Sequence, residues 1–132
     1  MFTDLASIRT DLETRLTPLL PSGWKFEPTI DGTIKASAPV LYIEFTAFEP
    51  RVQNNNLARG QVAARFNLII TDPKTDTKKA EDAVDEHVRR LIGAIDSMDD
   101  IYWDTAEKKR LPDGPLAWTV NTFAIADTTT EE

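Results

Sequence analysis

A chain of 132 residues has room for one domain that buries roughly two thirds of its unfolded surface around a single core. Its apolar fraction of 41% and charged fraction of 28% are those of an ordinary globular protein, and no two-domain or fibrous organisation is expected. The absence of cysteine excludes disulfides, thiolate metal sites and a cysteine nucleophile, while the net charge of −7 argues against a general nucleic-acid binder, whose affinity grows with the number of phosphate-neutralising cations. The first residues are acidic (Asp4, Asp11, Glu13) and no stretch approaches the roughly 18 apolar residues of a membrane span, so the expectation is a soluble protein kept in a cytoplasm.

Residues 3 to 17 place Leu5, Ile8, Leu12 and Leu16 at steps of three and four, the signature of one buried helix face. Thr3 is positioned to cap this helix, Asp11 and Arg15 stand four apart as a favourable pair, and Pro18 with Pro21-Ser22-Gly23 stops it. Trp24 to Glu27 alternates apolar and charged residues. With Asp31-Gly32 as a turn, this reads as a short strand or hairpin arm.

Two long strands follow. "VLYIEFTAFE" sets Leu41, Ile43 and Phe45 against Tyr42, Glu44 and Thr46; "QVAARFNLIIT" sets Val62, Ala64, Phe66, Leu68 and Ile70 against Gln61, Arg65 and Asn67. Asp72-Pro73 ends the second. Residues 77 to 98 then carry Ala80, Val84, Val88, Leu91, Ile95 and Met98 at helical spacing, with Asp85–Arg89 and Glu86–Arg90 as pairs four apart. Ile101-Tyr102-Trp103 opens another strand. A turn at Pro112-Asp113-Gly114-Pro115 leads to the last one, where Trp118 and Val120 share one parity and Phe123 and Ile125 the other, which predicts a bulge near Asn121 or burial of both faces. Residues 127–132 read as a disordered tail after a single domain over 1–126.

Two helices and about five strands in this order pack most simply as an α+β two-layer sandwich, a mostly antiparallel sheet covered by helices, with a long β-hairpin arm. The tryptophans Trp24, Trp103 and Trp118 belong either in the core or on an association surface, with the core the simpler reading for any one of them.

Catalytic chemistry finds little purchase. His87 is the only histidine, so no conventional triad or histidine zinc site can be assembled, and a partly buried helix-face imidazole is the simpler reading. Asp96, Asp99, Asp100 and Asp104 lack the spacing, central glycine and terminal glutamate of a calcium loop. The isolated glycines form no phosphate cradle. No enzyme, cofactor or metal is expected.

What remains is basic. The segment "FEPRVQNNNLARGQVAARF" joins the two long strands where a hairpin needs only two to five residues, and unusually long connections are commonly functional. Its Arg51, Gln53, Asn54, Asn55, Asn56, Arg59 and Arg65 are candidates for an interface with a neighbouring copy of the same acidic protein, reached by an arm standing beyond the globular body. Lys108, Lys109 and Arg110 are secondary candidates, weighed against a solvated turn.

The layout, with its acidic opening helix "MFTDLASIRTDLETRL", the entry "LLPSGWKF", the hairpin "VLYIEFTAFEPR" to "QVAARFNLIITD", one long helix and a closing strand pair, resembles the tail terminator, or tail completion, proteins of long-tailed bacteriophages over residues 1 to about 126. That resemblance implies a virion subunit, assembled in the host cytoplasm, that forms a hexameric ring on the head-proximal end of the tail tube. It would contact the major tail tube protein below and a head-completion or neck protein above, with DNA only passing through the lumen. A head-closure or other neck protein is the nearest alternative, and a small ligand-binding α+β domain with an apolar pocket near Trp24 or Trp118 is the alternative of another class.

Overall fold

The computed structural model describes residues 2–20, 23–27, 39–52, 54–72, 78–110 and 116–128. The element order is α1 (Leu5–Leu16) with a short 3-10 turn (Thr17–Leu19), β1 (Lys25–Glu27), β2 (Val40–Glu49), β3 (Arg51–Val52), β4 (Asn55–Asn56), β5 (Gln61–Thr71), α2 (Lys78–Asp96), β6 (Ile101–Arg110) and β7 (Leu116–Asp127). One five-stranded sheet runs in the order β1-β2-β5-β7-β6, and β3 and β4 form a separate two-stranded ribbon. This is the α+β, mostly antiparallel architecture that the alternating patterns predict.

Helix α1 buries Ile8, Leu12 and Leu16, three positions of one apolar stripe. Its cap is Asp4 rather than Thr3: the Ser7 N–H donates to the Asp4 carboxylate at 2.7 Å and the Asp4 N–H donates back to Ser7 Oγ at 3.2 Å, satisfying two end donors reciprocally. Asp11 and Arg15 pair at 2.9 Å as their spacing predicts, and Arg15 also reaches Asp100. Helix α2 turns Val84, Val88, Leu91 and Ile95 inward.

Both helices cover one face of the sheet. Beneath them lie Leu41 and Ile43 of β2, Ala64, Phe66, Leu68 and Ile70 of β5, and Val120, Ala124 and Ala126 of β7. All three tryptophans pack at the margin of this core, half-buried. Two of them satisfy their indole N–H on α2, Trp118 with Asp85 at 2.8 Å and Trp103 with Asp96 at 3.3 Å.

Three further local expectations change. Strand β1 pairs with β2 in parallel, Lys25 opposite Val40 and Glu27 opposite Tyr42, so these two strands are not the arms of a hairpin; a parallel pair needs a crossover, and residues 28–38, with the Asp31-Gly32 turn, lie outside the described residues. The Pro112 to Pro115 turn lies outside them too. Strand β7 continues through Asp127, whose N–H donates to the Phe2 carbonyl at 2.8 Å, and Thr128 N–H donates to the Gly60 carbonyl at 2.9 Å; the proposed tail is therefore structured at 127 and 128, and 129–132 lie outside the described residues. On α2, Glu86 takes both Arg89 and Arg90, whereas Asp85 turns away from Arg89 toward β6 and β7.

The mixed parity of β7 comes from burial on both faces: its register with β5 is unbroken from Ala117 to Asp127, with Ala124 and Ala126 under the helices and Phe123 on the opposite side. The bulge lies in the neighbouring strand, β6, between Trp103 and Ala106, and places Asp104 and Thr105 opposite Asn121. A second bulge inserts Thr46 into β2 between Phe45 and Ala47. It leaves Phe48 opposite Ala64, at the end of the helix-covered face and 62% exposed.

Candidate interface on the hairpin ribbon

The connection between β2 and β5 is a small structure of its own. Arg51 pairs with Asn56 and Val52 with Asn55 in the β3–β4 ribbon. Leu57 N–H closes its base on the Pro50 carbonyl at 3.1 Å. The chain re-enters β5 through Gly60, whose φ of 85° is the left-handed conformation that a side chain disfavours.

Sequence reading places this segment beyond the body of the protein; the structure leans it back on its own sheet. Val52 is 6% exposed and packs with Ala63 and Phe123, with Leu57 and Ile125 at the edge of the cluster. The physical reason is the pair of apolar residues bracketing the asparagines. Val52 and Leu57 gain by leaving water, and the outer face of β5 and β7 supplies apolar ground for them in Ala63, Phe123 and Ile125.

The candidates divide accordingly. Arg51, Asn54, Asn55, Asn56 and Arg59 are exposed. Gln53 lies outside the described residues. Arg65 is not available to a neighbour in the same way: its guanidinium donates from Nε and Nη2 to both Glu49 carboxylate oxygens at 3.1 Å, donates from Nη1 to Asn121 Oδ1, and lies 4.2 Å from the centroid of the Phe123 ring. Asn121 in turn donates to Asn67 at 3.2 Å. A bidentate carboxylate, an amide and a ring face engage all three nitrogens and one face of the planar guanidinium.

The second basic segment is consumed within the subunit. Lys108 Nζ donates to Glu81 at 2.7 Å and to Asp85 at 2.9 Å on α2, its side chain only 26% exposed, and these two carboxylates hold its pKa above the usual lysine value. It serves as a clamp between β6 and the helix. Lys109 is exposed and pairs with Glu107 at 3.2 Å, and Arg110, at the exposed end of β6, is also engaged. Periodicity alone held a signal for the clamp: Glu81 and Asp85 stand one turn apart on α2, and Lys108 shares the inward parity of Ala106.

Between ribbon and sheet lies an open, largely polar cleft of about 700 Å³, lined by Glu49, Pro50, Arg51, Asn54, Arg65, Asp104 and Phe123. Its walls offer charge of both signs and no nucleophile with an adjacent base. On the helix side, His87 stacks obliquely on Trp24 with ring centroids 5.2 Å apart. Burial, reinforced by the nearby Arg90, pushes its pKa down, and Nε2 is buried without a hydrogen-bond partner. The neutral imidazole is thus favoured, and the cavity around it, about 340 Å³, also takes in Asp72, Val84, Glu86 and Arg90. Among the described residues no group of three or more His, Asp or Glu side chains is placed to hold a metal ion, and no helix is long and apolar enough to cross a membrane.

No protein-family model matches the chain, and no curated protein matches it.

Proposed function

We propose that this chain is a ring-forming structural subunit of a bacteriophage tail, a terminator that caps the head-proximal end of the tail tube and joins it to the head or neck. The observation that carries the reading is the hairpin ribbon: Arg51, Asn54, Asn55, Asn56 and Arg59 stand together exposed, in a subunit whose net charge is −7. A basic, amide-rich edge on an acidic protein is attracted to another copy, and a contact between unlike patches closes into a ring when its rotation permits. The resemblance of the chain's layout to tail terminators supplies the tube as the underlying partner.

The ribbon's packing on its own sheet refines the role of the loop. Its base is braced by Val52 and Leu57, so the side chains at its edge are presented in a set direction and lose less freedom on contact than those of a loose finger would. Repetition around a ring then turns a modest pairwise contact into a durable one. No bond-making step is required.

The test combines Arg51→Glu with Arg59→Glu. Both side chains are exposed, so the circular dichroism spectrum and unfolding midpoint stay within about 0.5 kcal/mol of the parent, while rings seen by electron microscopy, and tails of uniform length in an infected cell, are lost. Normal rings and normal tails from that variant would remove the ribbon from assembly. A chain that stays monomeric and binds a small apolar ligand at the Trp24–His87 cavity would instead support the ligand-binding reading.

A further inference from the structure

Four charged side chains line the cleft between ribbon and sheet, and only two of them are paired with each other. Arg65 and Glu49 meet at 3.1 Å, whereas Arg51 and Asp104 are exposed and have neither an ion pair nor a side-chain hydrogen bond among the described residues. The unpaired two belong to different walls, Arg51 to the ribbon and Asp104 to the bulge of β6. The floor is formed by Arg65 on β5 and Phe123 on β7, the strands that lie between β2 and β6 in the sheet. That floor is flat. The Phe123 ring, 4.2 Å away, takes one face of the Arg65 guanidinium, and Glu49 and Asn121 take its three nitrogens at the edge. The side chain is still 26% exposed and lines the cleft, so what it offers a ligand is its second face, a planar cation on which an aromatic ring stacks.

We propose that this cleft binds a guanine nucleotide: the base stacks on Arg65, its N1–H and N2–H donate to the two oxygens of Asp104, and its phosphate is held by Arg51 with Asn54. The inference goes beyond the ring-forming reading above and does not rest on it.

Each part of the ligand follows from one feature of the cleft. Its volume of about 700 Å³ is that of a small-molecule site, but its polar lining gives little reward to an apolar ligand. A planar ring suits the floor. A carboxylate only accepts hydrogen bonds, and its two oxygens are met best by two adjacent donors. Among the bases guanine alone presents such a pair: adenine and cytosine set an acceptor beside the amino group, and uracil and thymine flank a single N–H with carbonyls. The unpaired guanidinium of Arg51 takes an anion, and a phosphate accepts two of its parallel N–H groups, while the exposed amide of Asn54 can donate to the same oxygens. The charges of the cleft balance, two of each sign, so these directed contacts rather than a net field select the ligand. A free nucleotide suits them better than a strand, because a chain of net charge −7 repels the further phosphates of a nucleic acid.

NMR titrations of the full chain at low micromolar concentration test this with GMP, AMP and a short single-stranded oligonucleotide that contains guanine. GMP is expected to bind about tenfold more tightly than AMP, the factor that one lost hydrogen bond to a charged group carries. Asp104→Asn should weaken GMP by about the same factor and leave AMP unchanged, whereas Arg51→Gln should weaken both nucleotides equally. Both positions are exposed, so each variant is expected to keep the parent circular dichroism spectrum. In the parent, the Arg65 Nε–H signal should move on addition of GMP while the imidazole of His87, on α2, stays fixed. Absence of GMP binding at millimolar concentration would overturn the proposal. So would equal binding of GMP and AMP, an Asp104→Asn variant that keeps its preference for GMP, movement of the His87 signals in place of those of Arg65, or an oligonucleotide that binds more tightly than the free nucleotide.

Discussion

The two faces of the sheet are held by different physics. Under the helices, Phe66, Leu68, Ile70, Leu41 and Val120 are closed from water and bound by nothing directional. On the opposite face, the same strands β5 and β7 are joined by Arg65, which links Glu49, Asn121 and the Phe123 ring, with Asn67 continuing the amide row. The first face tolerates rearrangement as long as its volume is filled. The second depends on one side chain whose three guanidinium nitrogens each donate a hydrogen bond, and on the small apolar cluster that the ribbon completes.

Breaking the apolar face should have the largest effect. Phe66 is 0% exposed, and Phe66→Ala is expected to cost about 3–5 kcal/mol in urea unfolding. Arg65→Met comes next, at about 1–2 kcal/mol, because Glu49 loses its partner in a position where its side chain is only 33% exposed. The informative variant adds Glu49→Met: if the outer face is held by that pair, the double variant recovers part of the loss, and a purely additive loss would show that the two residues act separately.

The smallest effect sharpens the contrast by pH. Burial lowers the His87 pKa below its ordinary value of 6.5, so the folded state favours the neutral imidazole. Its contribution is fully present above the unfolded value of 6.5 and is lost as pH falls through the lower folded pKa, because the unfolded chain takes up the proton first. Urea midpoints measured at neutral and mildly acidic pH should therefore fall on acidification, and His87→Gln should flatten that part of the curve. An unchanged slope would show that the Trp24–His87 contact admits the charged ring freely.

Much of this fold is legible in the sequence because the elements that matter most are long and strictly periodic. Strand β5 alternates through its centre, from Ala64 to Leu68, and the apolar stripes of both helices are found where their spacing puts them. The parallel partner of β2 is harder to read, since a three-residue strand carries too little pattern to declare its direction. Arg65 shows the same limit at the candidate site. Its place on the polar face follows from parity, but its partners lie 16 and 56 residues away, and only pairing of strands brings them together. The ribbon is an intermediate case: Val52 and Leu57 flank the asparagines in plain view, and their need for burial is what folds the connection back.

The bulge at Asp104 and Thr105 has a consequence for how the subunit can be joined to others. Strand β6 is an outer margin of the sheet, ten residues long, and a flat margin of that length is a template on which another chain can add a strand. Two residues opposing one bend the margin and throw its donors and acceptors out of step, while Lys109 and Arg110 charge its far end. The opposite margin, β1, is three residues long. Among the described residues neither border is fit for open-ended polymerisation through the backbone, so growth by sheet extension is suppressed, and in the proposed ring the contacts between copies would fall to side chains, whose number and geometry can specify where an assembly stops.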